Sequence, residues 1–179
     1  MRIVVKVGTS TLAHATGRLN IQRMERLCRV LSDLKNAGHE IILVSSGAIG
    51  IGTKKLRLGE RPTELRMKQA AAAVGQCRMM HIYDKLFAEY NRTVAQILLT
   101  GEDVESPVRS EHLHNTFEAL LELGVIPVVN ENDSVSSAEI ETGQCKVLGD
   151  NDTLSAIVAR LCGAGLLVLF SDIDGLYDA

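Results

Sequence analysis

The chain has 179 residues, 46% hydrophobic and 23% charged, with a formal net charge of −3. This is a globular composition, long enough for one domain with a sizeable core. With no basic block and only 3% aromatic residues, it offers nucleic acid neither an electrostatic footprint nor a stacking platform. No stretch is long and apolar enough to span a bilayer, and the apolar run in MRIVVKVGTS is too short for a signal peptide, so a cytoplasmic location is expected.

Arg2 to Val7 predicts a strand, because IVVKV is β-branched and almost continuously apolar, as in a parallel strand covered on both faces. Lys6 interrupts the run just before Gly8-Thr9-Ser10-Thr11. A lysine at the carboxyl end of a buried strand, beside a small-residue loop, suits an anionic ligand; the alternative is a lysine that snorkels to the sheet edge. Leu19, Ile21, Met24, Leu27, Leu31 and Leu34 recur at helical spacing, predicting a helix over 20–37 that ends at Gly38. Glu40 to Val44 is a second buried strand running into Ser45-Ser46-Gly47-Ala48-Ile49-Gly50. Strand, small-residue turn and helix together present backbone N–H groups to an anion.

The glycines at 47, 50 and 52 do not form the dinucleotide fingerprint, and the segment from Gly47 to Lys54 lacks the Gly-Lys-Ser/Thr ending of a P-loop. No G-x-S-x-G elbow marks Ser46 as a hydrolase nucleophile. Pro62 opens an alanine-rich helical stretch from Thr63 to about Tyr90, which Gly75 is expected to divide or bend. Thr93 to Leu99 predicts a third strand, 109–123 a helix closed by Gly124, and Val125 to Val129 a fourth strand.

Two polar clusters follow, Asn130-Glu131-Asn132-Asp133 and Asp150-Asn151-Asp152. The segments 136–140 and 145–148 read as a β-hairpin flap between them, and Asp150 as the cap of the next helix. Such clusters serve turns and caps; two of them at element ends can also hold a small charged ligand. Gly165 to Phe170 is the fifth strand, followed by Ser171-Asp172. Strands alternating with helices predict an α/β fold: a three-layer αβα sandwich with a mainly parallel sheet. In such a sheet the ligand lies beyond the carboxyl ends of the strands, where Lys6-Gly8, Ser45-Gly47, Asn130-Asp133 and Ser171-Asp172 all fall. Cys28, Cys77, Cys145 and Cys162 form no CxxC pair and read as reduced thiols; His112 and His114 read as solvated helix residues rather than metal ligands.

KVGTST at 6–11, VSSGAIGIG at 44–52, NENDSV at 130–135, GDND at 149–152 and SDIDGLYD at 171–178 stand in the order found in the amino-acid kinase family. AAAVGQ at 71–76 and QILLT at 96–100 extend the match. The chain resembles that family over its whole length, and NEND followed by GDND resembles the members that phosphorylate glutamate. The resemblance implies ATP-dependent phosphorylation of the L-glutamate side-chain carboxylate, the first step of proline biosynthesis, with Mg²⁺ accompanying ATP. It also implies that Lys6 and Gly8 handle ATP phosphates and that Ser46, Asp133 and Asn151 bind glutamate. Asp152 would organise catalytic lysines, and Ser171 and Asp172 would contact ATP. Proline as a feedback ligand and a homo-oligomeric state are further expectations.

A carboxylate is ionised at neutral pH and needs no general base to attack phosphorus, which fits the absence of an obvious catalytic histidine. The work left is to hold two anions in line and neutralise the transferring group. Family members continue past the point matching Ala179 with most of the adenine pocket and a second catalytic lysine. The expectation is therefore an amino-terminal, glutamate-binding part of one kinase domain over 1–179, inactive by itself. Two alternatives stay open: a non-catalytic amino-acid-binding fragment, and an amino-acid kinase acting on acetylglutamate, aspartate or carbamate.

Overall fold

The computed structural model describes residues 1–14, 16, 18–135 and 151–171. Five strands, β1 (Arg2–Val7), β2 (Glu40–Ser45), β3 (Val94–Leu99), β4 (Ile126–Glu131) and β5 (Leu166–Phe170), form one sheet in the order β3-β4-β2-β1-β5. Every pairing is parallel, with Lys6 opposite Val44 on one side and Leu169 on the other. Helices α1 (Thr9–Leu12), α2 (Ile21–Asn36), α3 (Ala48–Lys55), α4 (Leu65–Ala88), α5 (Gly101–Glu105), α6 (Pro107–Glu122) and α7 (Asn151–Leu161) complete the described chain.

The strands read as continuous apolar runs because both faces are covered. On one face Ile3, Val5, Val7, Ile41 and Leu43 pack against α2 and α4, with Met24, Leu31, Met79, Tyr83 and Phe87 fully or almost fully buried. On the other, Val4, Ile42, Val44 and Val129 meet Phe117 and Leu121 of α6 and Leu154 and Val158 of α7. This is the expected αβα sandwich, and each buried aliphatic or aromatic side chain adds roughly 1.5–3 kcal/mol of burial free energy. The two-residue alternation of a strand puts Lys6 on the same face as Val4, toward α7. Ser45 alternates the other way and hydrogen-bonds the buried Tyr83 hydroxyl at 2.8 Å.

Local signals set the helix ends. Asn20 caps α2 by accepting from Arg23 N at 3.0 Å, and Gly38 just beyond that helix takes φ +88°. Ser106 caps α6 ahead of Pro107 at its first position, so that helix starts earlier than the apolar periodicity alone predicts. α4 is shorter than the predicted 63–90 stretch, and Gly75 does not divide it: the helix runs unbroken from Leu65 to Ala88. Gly75 serves close packing instead. A Cβ there would lie 1.7 Å from the Ala48 carbonyl oxygen, and one at Gly52 would lie 1.7 Å from that of Ala71. α3 and α4 thus touch backbone to backbone. The short helices α1 and α5 were not expected from periodicity, since four or five residues carry none. The predicted flap and the Asp150 cap lie outside the described residues, as do Cys145 and Asp172.

Of the other cysteines, Cys28 and Cys162 are buried and Cys77 exposed, all as free thiols. His114 on α6 donates through Nδ1 to the Leu161 carbonyl oxygen at 3.0 Å. Among the described residues no group of three or more His, Cys, Asp or Glu side chains is placed to hold a metal ion, and no helix is long and apolar enough to cross a membrane.

Candidate functional site

Parallel strands with helical returns bring the carboxyl ends of β1, β2, β4 and β5 to one edge of the sandwich. The loop after β1 and the turn after β2 are in contact there. Ser46 N donates to Val7 O at 3.2 Å. Gly47 holds φ +105°, a left-handed conformation that lets the chain leave β2 and enter α3 at once. A Cβ at Gly47 would stand 3.2 Å from Thr9 Oγ1, a tight contact that adds to the torsional requirement for glycine.

Beyond these turns lies a cavity of about 250 Å³ whose walls include Ser46, Gly47, Arg61, Asn130, Asp133 and Asn151. The three residues expected to bind substrate, Ser46, Asp133 and Asn151, therefore share one space, although they come from the end of β2, the turn after β4 and the start of α7. Asn151 donates through Nδ2 to Ser46 Oγ and, at a longer 3.4 Å, to Asn130 Oδ1. Asn130, 2% exposed at the end of β4, in turn donates through Nδ2 to Gln76 Oε1 on α4 at 3.0 Å.

Asp133 is the electrostatically unusual group. Burial first, and the neighbouring Glu131 carboxylate second, push its carboxyl up to about 6, against the partial opposition of the Arg61 guanidinium. Such a carboxylate is poorly compensated and favours a cationic ligand. Arg61 is the only cation on the described wall of this cavity, and it suits an anionic group at the same ligand's other end.

Lys6, Gly8, Asp152 and Ser171 sit to the β1/β5 side of this cavity. The Lys6 side chain is nearly buried, and its Nζ lies 2.7 Å from Asp152 Oδ1 in the first turn of α7. Gly8 keeps the space in front of that ammonium open: a Cβ there would stand 3.6 Å from Lys6 Nζ and 4.0 Å from the Phe170 carbonyl oxygen. An ammonium faced by a glycine at a strand end is the kind of donor that a nucleotide's phosphates would require. Ser171 follows β5 directly and is exposed on the same side.

Arg61, Asn130 and Gln76 were not assigned roles from the sequence. Asn130 stood within a polar cluster that drew attention. Arg61 lies in an ordinary charged loop, and Gln76 within an alanine-rich helix, where no local pattern marks either as part of a site.

The profile described as "Amino acid kinase family" matches residues 1–179. The chain is 55% identical over 178 residues to a Clostridium perfringens protein named "Glutamate 5-kinase", covering 99% of this chain and 65% of that protein. Proteins of the same name from Listeria innocua, 54% identical over 176 residues, and Clostridium acetobutylicum, 57% identical over 178 residues, are covered to 63% and 64% of their lengths. The chain thus spans a little under two thirds of the curated relatives it matches.

Proposed function

Because the chain belongs to the amino acid kinase family, we propose that its site binds L-glutamate and serves ATP-dependent phosphorylation of the glutamate side-chain carboxylate, giving L-glutamyl 5-phosphate for proline biosynthesis. The observation that carries this reading is the meeting of two compartments at one sheet edge. A cavity whose described wall carries two carboxylates (Asp133 and Glu131), one cation (Arg61) and a set of neutral hydrogen-bonding groups lies beside a lysine fronted by glycine. Glutamate has an ammonium, a carboxylate to hold and a carboxylate to react; the first two match Asp133 and the polar wall. The third needs no deprotonation, only alignment with a phosphoryl group whose negative charge Lys6 offsets.

In this reading Ser46, Asp133 and Asn151 hold glutamate. Lys6 and Gly8 face the ATP phosphates, Asp152 orients Lys6, and Ser171 with Asp172 contacts the nucleotide. Magnesium would travel with ATP, coordinated mainly by the phosphates themselves. Proline, which shares glutamate's ammonium and α-carboxylate, would compete for the same cavity as a feedback ligand. A cytoplasmic homo-oligomer completes the proposal.

The experiment is calorimetry on the purified protein with L-glutamate, L-aspartate, N-acetylglutamate and carbamate, followed by an ADP-release assay on whichever binds. Selective binding of glutamate supports the reading. Preference for another of these acceptors would make this a different member of the family.

A further inference from the structure

Gln76 lies outside the glutamate cavity, yet it fixes how that cavity is wired. We propose that Gln76 is a positioning residue: its side-chain oxygen sets the direction of an amide relay through Asn130 and Asn151 that presents the Ser46 hydroxyl to the cavity as a hydrogen-bond donor. The consequence for carboxylate binding rests on the reading of the site as a glutamate site; the relay itself does not.

The relay follows from counting donors. Gln76 Oε1 accepts from Asn130 Nδ2 at 3.0 Å. That orientation turns Asn130 Oδ1 toward Asn151, whose Nδ2 donates to it at 3.4 Å and also donates to Ser46 Oγ. A primary amide has two N–H hydrogens, so Asn151 has spent both. Ser46 Oγ has used a lone pair as acceptor and keeps its own hydrogen, and Ser46 lies on the cavity wall. A hydroxyl held this way is a directed donor, as a carboxylate ligand requires. In the reversed relay Gln76 would donate, Asn151 would show its oxygen to Ser46, and the serine hydrogen would be consumed there. The cavity would then meet lone pairs, which repel a carboxylate.

Two features tie this polarity to Gln76. The residue is 7% exposed, and its Nε2 has no hydrogen-bond partner among the described residues. A buried amide with an idle N–H is a poor packing residue, because leucine or methionine would fill the volume without an unpaired donor. The group therefore contributes through its oxygen. Its position is also rigid: Gly75, the preceding residue, brings α4 against the Ala48 carbonyl at the start of α3, directly after the Ser46-Gly47 turn. Both ends of the relay hang on one tightly packed pair of helices.

The test has a ligand-free arm and a ligand arm, both on Gln76→Leu. In ¹⁵N-correlated NMR spectra the side-chain amide signals of Asn130 and Asn151 are expected to shift and their hydrogens to exchange faster with water. Unaltered signals would overturn the relay whatever the protein binds. In calorimetry Gln76→Leu is expected to weaken glutamate about tenfold, as the loss of one oriented hydrogen bond to a charged group does. In a Ser46→Ala background the same change is expected to cost less than about twofold, because the hydroxyl it orients is gone. Equal losses in both backgrounds would show that Gln76 does not act through Ser46, and would overturn the proposal. A thermal midpoint at or above that of the parent separates positioning from loss of fold. If the parent protein binds no glutamate while the NMR arm gives the expected result, the substrate reading fails and the relay stands.

Discussion

The ammonium of Lys6 and the carboxylate of Asp152 meet at 2.7 Å across the junction between the end of β1 and the first turn of α7. Lys6 brings the charge through the sheet on a nearly buried stem, whereas the Asp152 side chain keeps 46% of its exposure. An aspartate in the first turn also complements the positive end of its own helix. The pair therefore holds the lysine in place beside the loop that begins at Gly8.

In a version that carries the segment following in its relatives, Lys6→Ala is expected to lower kcat by on the order of 10²–10³, the usual loss for one preorganised group facing transition-state charge, with little change in glutamate affinity. Lys6→Arg should not restore the rate, because a planar guanidinium cannot replace a compact ammonium on a strand end this crowded. Steady-state kinetics decide it: a loss carried by the glutamate KM alone would make Lys6 a binding residue.

Asp133→Ala and Asn151→Ala are expected to weaken glutamate by roughly 1.5–3 kcal/mol each while the far-ultraviolet circular dichroism stays unchanged. The two should differ in stability. Asn151→Ala breaks bonds to Ser46 and Asn130, whereas Asp133→Ala removes a carboxylate that burial disfavours. Glutamate titrations at one pH, beside melts of the free proteins, separate the two effects. Unchanged affinity in both variants would place the substrate elsewhere.

Asp133 gives the protein a pH signature. Its carboxyl titrates near 6 in the fold against an ordinary value of 3.8. Between these values the native state holds a proton that the unfolded chain has released, so this group makes stability fall as pH rises from about 4 to about 6. Glutamate affinity should move the other way and rise through pH 6, because the ligand's ammonium pairs with the ionised form. Asp133→Asn should abolish both trends, and Arg61→Ala should shift the affinity rise to higher pH by removing the cation that opposes the shift. Melting and calorimetry from pH 4.5 to 8 report both.

Gly75→Ala is expected to destabilise the protein by about 3 kcal/mol or more, the upper range for overpacking, because the new methyl would meet backbone rather than a side chain that can yield. The loss should extend to glutamate binding, since α3 and the Ser46-Gly47 turn would be pushed away from α4. Gly50→Ala is the control: a Cβ there meets nothing within 4 Å. A denaturant series on both variants checks the contrast.

The five strands and their parallel pairing were legible in the sequence, for a local reason. Runs such as IVVKV and EIILV bury both faces, and the polar residues that end them have to be exposed together. The clusters that hold Lys6, Ser46, Asp133, Asn151 and Asp152 stood out because each sits at such a boundary, and the family resemblance supplied the role expected of each residue. Tertiary structure decided what these residues do to one another. Lys6 meets Asp152 because strand alternation turns the lysine toward α7, and Asp133 is perturbed because Glu131 and the surrounding burial lie around it. Gly75, read as a helix breaker, is instead the contact that lets α4 touch α3, and Gln76 beside it joins the site through Asn130. A helix records its own periodicity in the sequence, but not which atoms of another helix will stand against it. The fold was therefore readable from local pattern, whereas the charge and hydrogen-bond wiring of the site came only from packing.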